Sequence, residues 1–422
     1  MSIFADLLSS VFERRFKFIL SKEKDDRSLE ELCTELVSSS GEISGQAYGQ
    51  RILAGFKQLS DEEKLNFFHH LAGAMNIDPS EVRKTLSAYE EAPSKVSYGA
   101  FMRAAEPNRQ ELIRRLNWLP GATEELVRMR ADLLRLGPKD PQLQALDLDF
   151  QHLFQSWFNR GFLVLRPINW ESPAHILEKI TEYEAVHAID SWDALRQRLE
   201  PEDRRCFAFF HPSMPDEPLI FVEVALTNGT PDSIQSLLAE DRISISADEA
   251  NTAVFYSISN CQPGLASVSF GNSLIKQVVA DLSAELASLK TFVTLSPIPR
   301  LASWIKETAS SATVDYQETS NINALAAHYL LQVKRPDGTP HDPVARFHLG
   351  NGALVHMVHA EADTSPKGQS QSLSAMVNYL YDLDRVAQNH EAFATKGQVI
   401  ASPEVVTLAK NAEKQQYSGK AA

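Results

Sequence analysis

The segment Phe255–Lys276 reads FYSISNCQPGLASVSFGNSLIK, and it favours one fold class for the residues around it. Its branched and aromatic residues predict a strand that ends near Ser259, and its last residues predict a helix that begins near Asn272. The loop between them contains Gly264 and Gly271. Such a loop leaves backbone N–H groups free at a helix N-terminus, where the partial positive charge suits a pyrophosphate. A strand, a glycine turn and a helix occur in most α/β proteins, so this segment alone does not identify a ligand.

Strand-like and helix-like segments alternate on both sides of it, from residue 146 to the end of the chain. Short runs rich in branched and aromatic residues are typical of strands, and runs with apolar residues three or four apart are typical of helices. We therefore predict a mixed α/β domain over residues 146–422. The predicted strands are Phe162–Leu165, Cys206–Phe210, Leu219–Leu226, Ala253–Ile258, Phe292–Leu295, Ala345–Leu349 and Ala353–Val358, and the predicted helices are His175–Ala188, Asn272–Leu289, Ala302–Glu307, Asn321–Leu331 and Leu373–Ala387.

Residues 1–145 show helical periodicity and no convincing strand. Apolar residues recur at intervals of three and four, as in Leu126, Met129 and Leu133, with charged residues between them. The segment Ser60–Glu63 has the form of a capping box, and Pro79 begins another helical run. Prolines and glycines near residues 92, 107, 120 and 137 separate the runs. We predict an all-α bundle of about seven or eight helices over residues 1–145.

The composition is ordinary for a globular protein and excludes several classes. The 422 residues include 41 Lys and Arg against 55 Asp and Glu, which gives a formal net charge of −14, and 43% are hydrophobic. At roughly 100–200 residues per domain, this length predicts two or three domains. The acidic balance argues against a surface built for nucleic acid, so an anionic ligand needs a local site.

The cysteines and the chain ends point to a cytoplasmic protein. Cys33, Cys206 and Cys261 are far apart and form no C-x-x-C pair, so neither a disulfide framework nor a zinc cluster is indicated. No apolar run approaches the ~18 residues of a membrane span. The first twelve residues predict a structural helix, since Asp6 is unlike an acid-poor transit peptide. We expect neither a membrane nor a nucleic acid as partner.

Several familiar catalytic motifs are absent. The sequence has no G-x-S-x-G elbow, no Walker loop, no G-x-G-x-x-G after a strand and no H-E-x-x-H, which removes support for hydrolase, kinase and dehydrogenase functions. His348, His356 and His359 are close in sequence, but Gly350 and Gly352 predict a turn between the first and the others. Residues three apart on a strand point to opposite faces, so we interpret these histidines as ordinary packing and predict no metal site.

Four other segments carry a family resemblance. They are Ser156–Leu163 (SWFNRGFL), Phe292–Pro299 (FVTLSPIP), Pro343–Ala353 (PVARFHLGNGA) and Met376–Tyr381 (MVNYLY). Together with Phe255–Lys276 they closely resemble the malonyl-CoA decarboxylase family. The resemblance spans essentially all of residues 146–422, and the helical region matches the family's N-terminal domain more loosely.

This resemblance implies a helical oligomerisation domain followed by a catalytic domain of the Gcn5-related N-acetyltransferase type. It implies malonyl-CoA as substrate, acetyl-CoA as product, and a homodimer or homotetramer. Ser296 and His348 become the catalytic pair. The sequence departs from the family at Ser267, where members commonly have glycine. The CoA pyrophosphate loop becomes Ala266, Ser267, Val268, Ser269, Phe270, Gly271 and Asn272.

Decarboxylation gives the catalytic pair a chemical task. Loss of CO2 leaves an electron pair that is delocalised into the thioester oxygen, so the substrate is its own electron sink and we expect no metal or organic cofactor. His348 would return a proton to carbon because imidazole titrates near neutral pH. Ser296 would hydrogen-bond the carboxylate or relay a proton. Asn378 and Tyr381, on a predicted helix, are weaker candidates for polar contacts to the site.

Other interpretations stay open at this stage. A CoA-dependent acyltransferase would use the same loop with an acceptor cleft and a base such as Glu223, and a non-catalytic acyl-CoA sensor would only bind. The two catalytic candidates also have structural alternatives. Ser296 would serve as the cap of a helix near Leu301, and His348 as a packed strand residue.

Overall fold

The computed structural model describes residues 26–39, 41–268, 274–308 and 319–418. Two compact units divide the chain. The first, here the helical unit, runs through Phe158 and also includes Gln262–Val268. The second, here the sheet unit, comprises Asn159–Cys261 and the residues from Ser269 onward. The predicted boundary at residues 145 and 146 lies inside a helix whose later residues, including Phe150 and Phe154, are buried.

The helical unit contains eight α-helices in the residues that the structure describes, in agreement with the predicted all-α bundle. Proline and glycine end or begin most of them, as the sequence indicated: Pro107 caps one helix and Gly121 precedes another with φ +75°. The helices are α1 (Leu29–Ser38), α2 (Glu42–Gln58), α3 (Asp61–Gly73), α4 (Pro79–Glu91), α5 (Lys95–Ala105), α6 (Asn108–Asn117), α7 (Ala122–Leu136) and α8 (Pro141–Trp157).

Local capping and an aromatic core hold this unit together. The capping box predicted at Ser60 is present: the Ser60 hydroxyl accepts from the Glu63 N–H, and the Glu63 carboxylate accepts from the Ser60 N–H. The apolar face of α3 then buries Phe67 and Phe68, whose rings lie 5.5 Å from that of Phe56 on α2. Burying a side chain of this size contributes about 1.5–3 kcal/mol.

The sheet unit alternates strands and helices as predicted. Its strands are β1 (Val164–Ile168), β2 (Arg204–His211), β3 (Met214–Thr227), β4 (Thr252–Asn260), β5 (Thr291–Thr294), β6 (Ser296–Pro297), β7 (Leu354–His359) and β8 (Met376–Leu380). Its helices are α9 (Ala174–Tyr183), α10 (Trp192–Leu199), α11 (Ile234–Leu238), α12 (Leu274–Glu285), α13 (Leu301–Thr308), α14 (Thr319–Gln332), α15 (Pro343–Gly350), α16 (Pro366–Ser372), α17 (Val386–Lys396) and α18 (Pro403–Ser418).

One mixed sheet joins all eight strands. Strands β1 to β4 are antiparallel neighbours, and β4 then pairs in parallel with β5. A parallel pair needs a crossover, which α12 supplies. Strand β8 is central, because β5 and β6 pair with one of its edges and β7 with the other. The predicted order of an all-α region followed by a mixed α/β domain is confirmed.

Two secondary-structure predictions are wrong. The predicted strand Ala345–Leu349 lies in helix α15, because the Asp342 carboxylate accepts from the Ala345 N–H and Pro343 occupies the first turn. The predicted helix Leu373–Ala387 contains strand β8, which is paired on both edges. Tertiary pairing overrides the helical spacing in that segment.

Among the described helices, none combines the length and the apolar composition that crossing a bilayer requires.

Candidate active site

Ser296 begins the short strand β6, one residue after the short strand β5 ends at Thr294. Strands β5 and β6 pair consecutively with β8, and Leu295 between them donates its N–H to Phe255 O at 3.0 Å. Thr294 and Ser296 are two residues apart in extended chain, so their side chains share one face of the sheet. The Ser296 hydroxyl is buried and donates to Thr294 Oγ1 at 2.8 Å. Ser296 is the first residue of the two-residue strand β6, whereas the sequence predicted it at the end of a strand.

His348 reaches the same face from helix α15. Its Nε2 lies 3.2 Å from Ser296 Oγ, and its Nδ1 lies 2.9 Å from the hydroxyl of Tyr381. Its ring also stacks on that of Tyr379, with the centroids 4.6 Å apart and the planes inclined by 24°. These contacts fix the imidazole on three sides. The structure thus brings the two predicted catalytic residues together across 52 residues of sequence.

The pKa of His348 is lower than the sequence led us to expect. The side chain is 3% exposed, and burial lowers its pKa from 6.5 to about 3. The imidazole is therefore neutral at physiological pH, and the expectation that it acts because it titrates near neutrality is wrong. A neutral imidazole still carries one N–H, which it can donate to a developing negative charge.

Asn378 and Tyr381 belong to strand β8 and the residue after it, and not to the predicted helix. Tyr381 contacts His348 directly, whereas Asn378 points the other way along the alternating strand. The Asn378 amide donates to Thr294 O at 2.8 Å, and its oxygen accepts from His359 Nε2 at 2.5 Å. Asn378 thus holds the β5 backbone, and Tyr381 holds the imidazole.

Sequence reasoning missed Thr294 and Tyr379. Thr294 Oγ1 accepts from the Ser296 hydroxyl and from the Tyr379 N–H, at 2.8 and 3.1 Å. The signal was present in the sequence, since residues two apart on a strand share a face and both tyrosines of MVNYLY follow that rule. Predicting a helix over Leu373–Ala387 hid this alternation, because the alternation applies only to a strand.

A cavity of about 240 Å³ opens onto Ser296 and His348. At neutral pH none of the described residues that line it carries a formal charge, and most are apolar. They are Val186, Ile220, Phe255, Tyr256, Ile258, Asn260, Ser296, Pro297, Pro343, Val344, Phe347 and His348. Such a cavity offers no salt bridge to a carboxylate.

Part of the predicted pyrophosphate loop belongs to the helical unit. Arg130 on α7, itself fully buried, donates from one guanidinium nitrogen to Gly264 O at 2.8 Å and to Ala266 O at 2.9 Å. A Cβ on Gly264 would lie 1.8 Å from Val127 O, so the close approach of loop and helix requires glycine there. Arg130 and Gly264 therefore fix the start of the loop.

The remaining loop residues divide into two groups. Ser267 has φ +63°, in the left-handed region that favours glycine, which explains why glycine is the residue expected at this position. Ala266 and Val268 flank it. The predicted residues Ser269, Phe270, Gly271 and Asn272 lie outside the described residues.

The other residues named from the sequence lie away from this pair. Glu223 is fully buried on β3, where it accepts from Arg198 at 3.0 Å, and burial raises its pKa to about 7. It does not line the cavity, so the acyltransferase interpretation loses its named base. Within the described residues, no three His, Cys, Asp or Glu side chains group closely enough to hold a metal ion, His356 and His359 included.

Family models match both regions of the chain. The malonyl-CoA decarboxylase C-terminal domain matches residues 161–321 and 311–419, and the malonyl-CoA decarboxylase N-terminal domain matches residues 75–158. Both catalytic candidates lie inside the C-terminal match.

Individual relatives agree with these matches. Malonyl-CoA decarboxylase of Rhodopseudomonas palustris has a solved structure that is 48% identical, with a TM-score of 0.85 over 90% of this chain and 98% of that one. The corresponding structure from Agrobacterium vitis also has a TM-score of 0.85 at 48% identity, over 90% and 99%. The mitochondrial malonyl-CoA decarboxylase of Anser anser anser is 33% identical over 77% of this chain and 75% of its own. Since the domain matches and these relatives agree, the chain belongs to the malonyl-CoA decarboxylase family.

Proposed function

We propose that this chain converts malonyl-CoA to acetyl-CoA and CO2, with Ser296 and His348 as the catalytic residues. The observation that carries the proposal is the buried contact of 3.2 Å between Ser296 Oγ and His348 Nε2 at a cavity without formal charge. Family membership supports the reaction, and the geometry supports the residue roles.

The first step breaks the bond between the α carbon and the carboxylate carbon. Its electron pair moves into the thioester and forms an enolate while CO2 leaves. The substrate therefore supplies its own electron sink, and we infer that no metal or organic cofactor takes part. A donor aimed at the enolate oxygen stabilises the transition state, and the His348 N–H, whose ring Ser296 Oγ contacts at 3.2 Å, is the donor that we assign to this role.

The apolar lining of the cavity also favours this first step, because it destabilises the bound substrate. A carboxylate loses favourable hydration when it enters a site lined by groups such as Val344 and Phe347. Neutral CO2 loses almost no favourable hydration in the same site. The site thus disfavours the charged reactant relative to the transition state, in which the charge moves toward the thioester.

The second step returns a proton to the α carbon. Burial keeps His348 neutral, so the donor is the N–H of a neutral imidazole. A thioester enolate is a far stronger base than an imidazolate, which makes this transfer downhill. Tyr381, hydrogen-bonded to the other ring nitrogen, keeps the ring in place, and solvent restores the proton once the product has left.

The CoA moiety would lie along the loop that begins at Ala266. Arg130 binds the carbonyl oxygens of Gly264 and Ala266 and so holds the start of that loop. A homodimer or homotetramer remains our prediction for the assembly. The cytoplasmic location also stays a prediction, since the curated relative from Anser anser anser is a mitochondrial protein.

Incubation of the purified chain with malonyl-CoA alone tests this function. The decarboxylase releases CO2 and acetyl-CoA in equal amounts without any acceptor. An acyltransferase forms product only when an acceptor is added, and a sensor binds malonyl-CoA without forming product. The same yield after exhaustive treatment with chelators is expected, and activity that disappears and returns with one particular metal would contradict the absence of a cofactor.

A further inference from the structure

Thr294 adjoins the catalytic pair, and the two steps of decarboxylation give it no role. It is fully buried. Its hydroxyl oxygen accepts two hydrogen bonds, from the Tyr379 N–H at 3.1 Å and from the Ser296 hydroxyl at 2.8 Å. Its backbone oxygen accepts from the Asn378 amide at 2.8 Å. Both its side chain and its backbone are therefore held in place.

We propose that Thr294 is a positioning residue that determines which ring nitrogen of His348 carries the proton. This inference rests on the proposed function, in which the neutral imidazole is the acid. The Ser296 hydroxyl has a single hydrogen. That hydrogen is donated to Thr294 Oγ1, so Ser296 Oγ faces His348 only as an acceptor. Nε2 must then be the nitrogen that bears the hydrogen.

The opposite side of the ring is consistent with this assignment. A neutral imidazole has one N–H, so an Nε2–H tautomer leaves Nδ1 as an acceptor. The Tyr381 hydroxyl lies 2.9 Å from Nδ1 and can donate to it. The hydrogen bonds then form one series with a single direction: Tyr381 donates to His348, His348 donates to Ser296, and Ser296 donates to Thr294.

Loss of the Thr294 hydroxyl would reverse this order. The freed Ser296 hydroxyl would turn and donate to His348 Nε2, the polar atom that remains within its reach at 3.2 Å. The ring proton would move to Nδ1 and point to Tyr381. His348 would keep its position but would present a bare nitrogen to the cavity, without the proton that the enolate needs.

Nitrogen NMR of the full chain, labelled with 15N-histidine and free of ligand, tests the assignment. The His348 signals are identified by their loss in His348→Gln, and the protonated and bare ring nitrogens differ widely in chemical shift. We expect Nε2–H in the wild type and Nδ1–H in Thr294→Val. The kcat for malonyl-CoA in Thr294→Val should fall by ~10²-fold with little change in KM, and Thr294→Ser should restore both the tautomer and kcat.

An Nδ1–H tautomer in the wild type would overturn the proposal, and so would a Thr294→Val protein whose tautomer and kcat match the wild type. The wild-type spectrum decides the question even if Thr294→Val does not fold. Failure of the proposed function has a different signature, since a wild type that forms no acetyl-CoA from malonyl-CoA would refute that function without altering the tautomer measured in the free protein.

Discussion

At the scale of single residues, the sequence predicts the two residues that we propose as the catalytic pair, but not the contacts around them. Ser296 and His348 were found through short motifs, and they meet at 3.2 Å. Their supporting residue Thr294 was missed, and His348 was placed on a strand. The Asp342-Pro343 start of helix α15 was readable in the sequence, whereas the pairing that makes Met376–Leu380 a strand depends on distant segments.

The protonation state of His348 also could not be predicted from the sequence. An imidazole has an ordinary pKa near 6.5, and only the structure shows the burial that lowers it to about 3. The motif predicts that a histidine is present at position 348, but the protonation state of that histidine depends on its burial in the folded protein.

The pH dependence of turnover follows from this pKa. His348 stays neutral above about pH 4, so kcat for malonyl-CoA should show no step near pH 6.5 between about pH 5 and about pH 8. A kcat that falls by half near pH 6.5 would contradict a neutral acid.

Stability gives an independent check of the same pKa. In the unfolded chain this histidine binds a proton below its ordinary pKa of 6.5, whereas in the folded chain it does so only near pH 3. The stabilising contribution is therefore complete above pH 6.5 and decreases as the pH falls toward 3. Denaturant titrations should show a weaker dependence of the free energy of unfolding on pH in His348→Gln than in the wild type.

At the scale of elements, the loop Gln262–Val268 shows what spacing alone could and could not predict. The glycine loop before a helix was evident in the sequence, and the left-handed φ of Ser267 explains why a serine there is unusual. Arg130 gave no sequence signal, because it lies 134 residues from the carbonyl of Gly264 that it binds. Only the folded structure shows that the buried Arg130 guanidinium binds the carbonyl oxygens of this loop.

Arg130→Lys tests this contact. Lysine keeps the charge beside Asp147 but cannot reproduce the planar guanidinium that bridges two carbonyls and this carboxylate. Loss of one or two such hydrogen bonds should weaken CoA binding about tenfold in calorimetry, with kcat at saturation little changed. Arg128→Lys, at a largely exposed position of α7, is the matched control and should bind CoA normally. Equal affinities in the two variants would contradict a role for Arg130 in shaping the loop.

At the scale of the whole molecule, the helical unit presents a surface that suits self-association. Helices α4 and α5 pack on each other, and neither contains a buried residue. Val96 is 80% exposed, and Tyr98 and Met102 are about half exposed. Tyr98 and Met102, four residues apart, share one face of α5, and exposed apolar side chains on a common face are typical of an interaction surface. The sequence predicts helices that hold subunits together, and we predict that α4 and α5 provide that face.

Charge introduced on that face should weaken the assembly. We expect a homodimer or homotetramer by light scattering at micromolar concentration, and a shift toward smaller species in Met102→Asp, because burying an unpaired carboxylate is costly. Ile243→Asp, at a position that is 90% exposed in the sheet unit, is the control and should leave the mass unchanged. A wild type that scatters as a monomer would contradict an oligomeric enzyme.

The claim that joins these scales is that Ser296 and His348 carry out the decarboxylation of malonyl-CoA. Its most direct test is the rate of acetyl-CoA formation from malonyl-CoA, without an acceptor, by the wild type, Ser296→Ala and His348→Ala, each shown by calorimetry to bind CoA. Because a positioned proton donor contributes about 10²–10⁴ in rate, we predict that each variant binds CoA normally and turns over at least ~10²-fold more slowly than the wild type. Near-normal turnover in either variant would contradict its catalytic role.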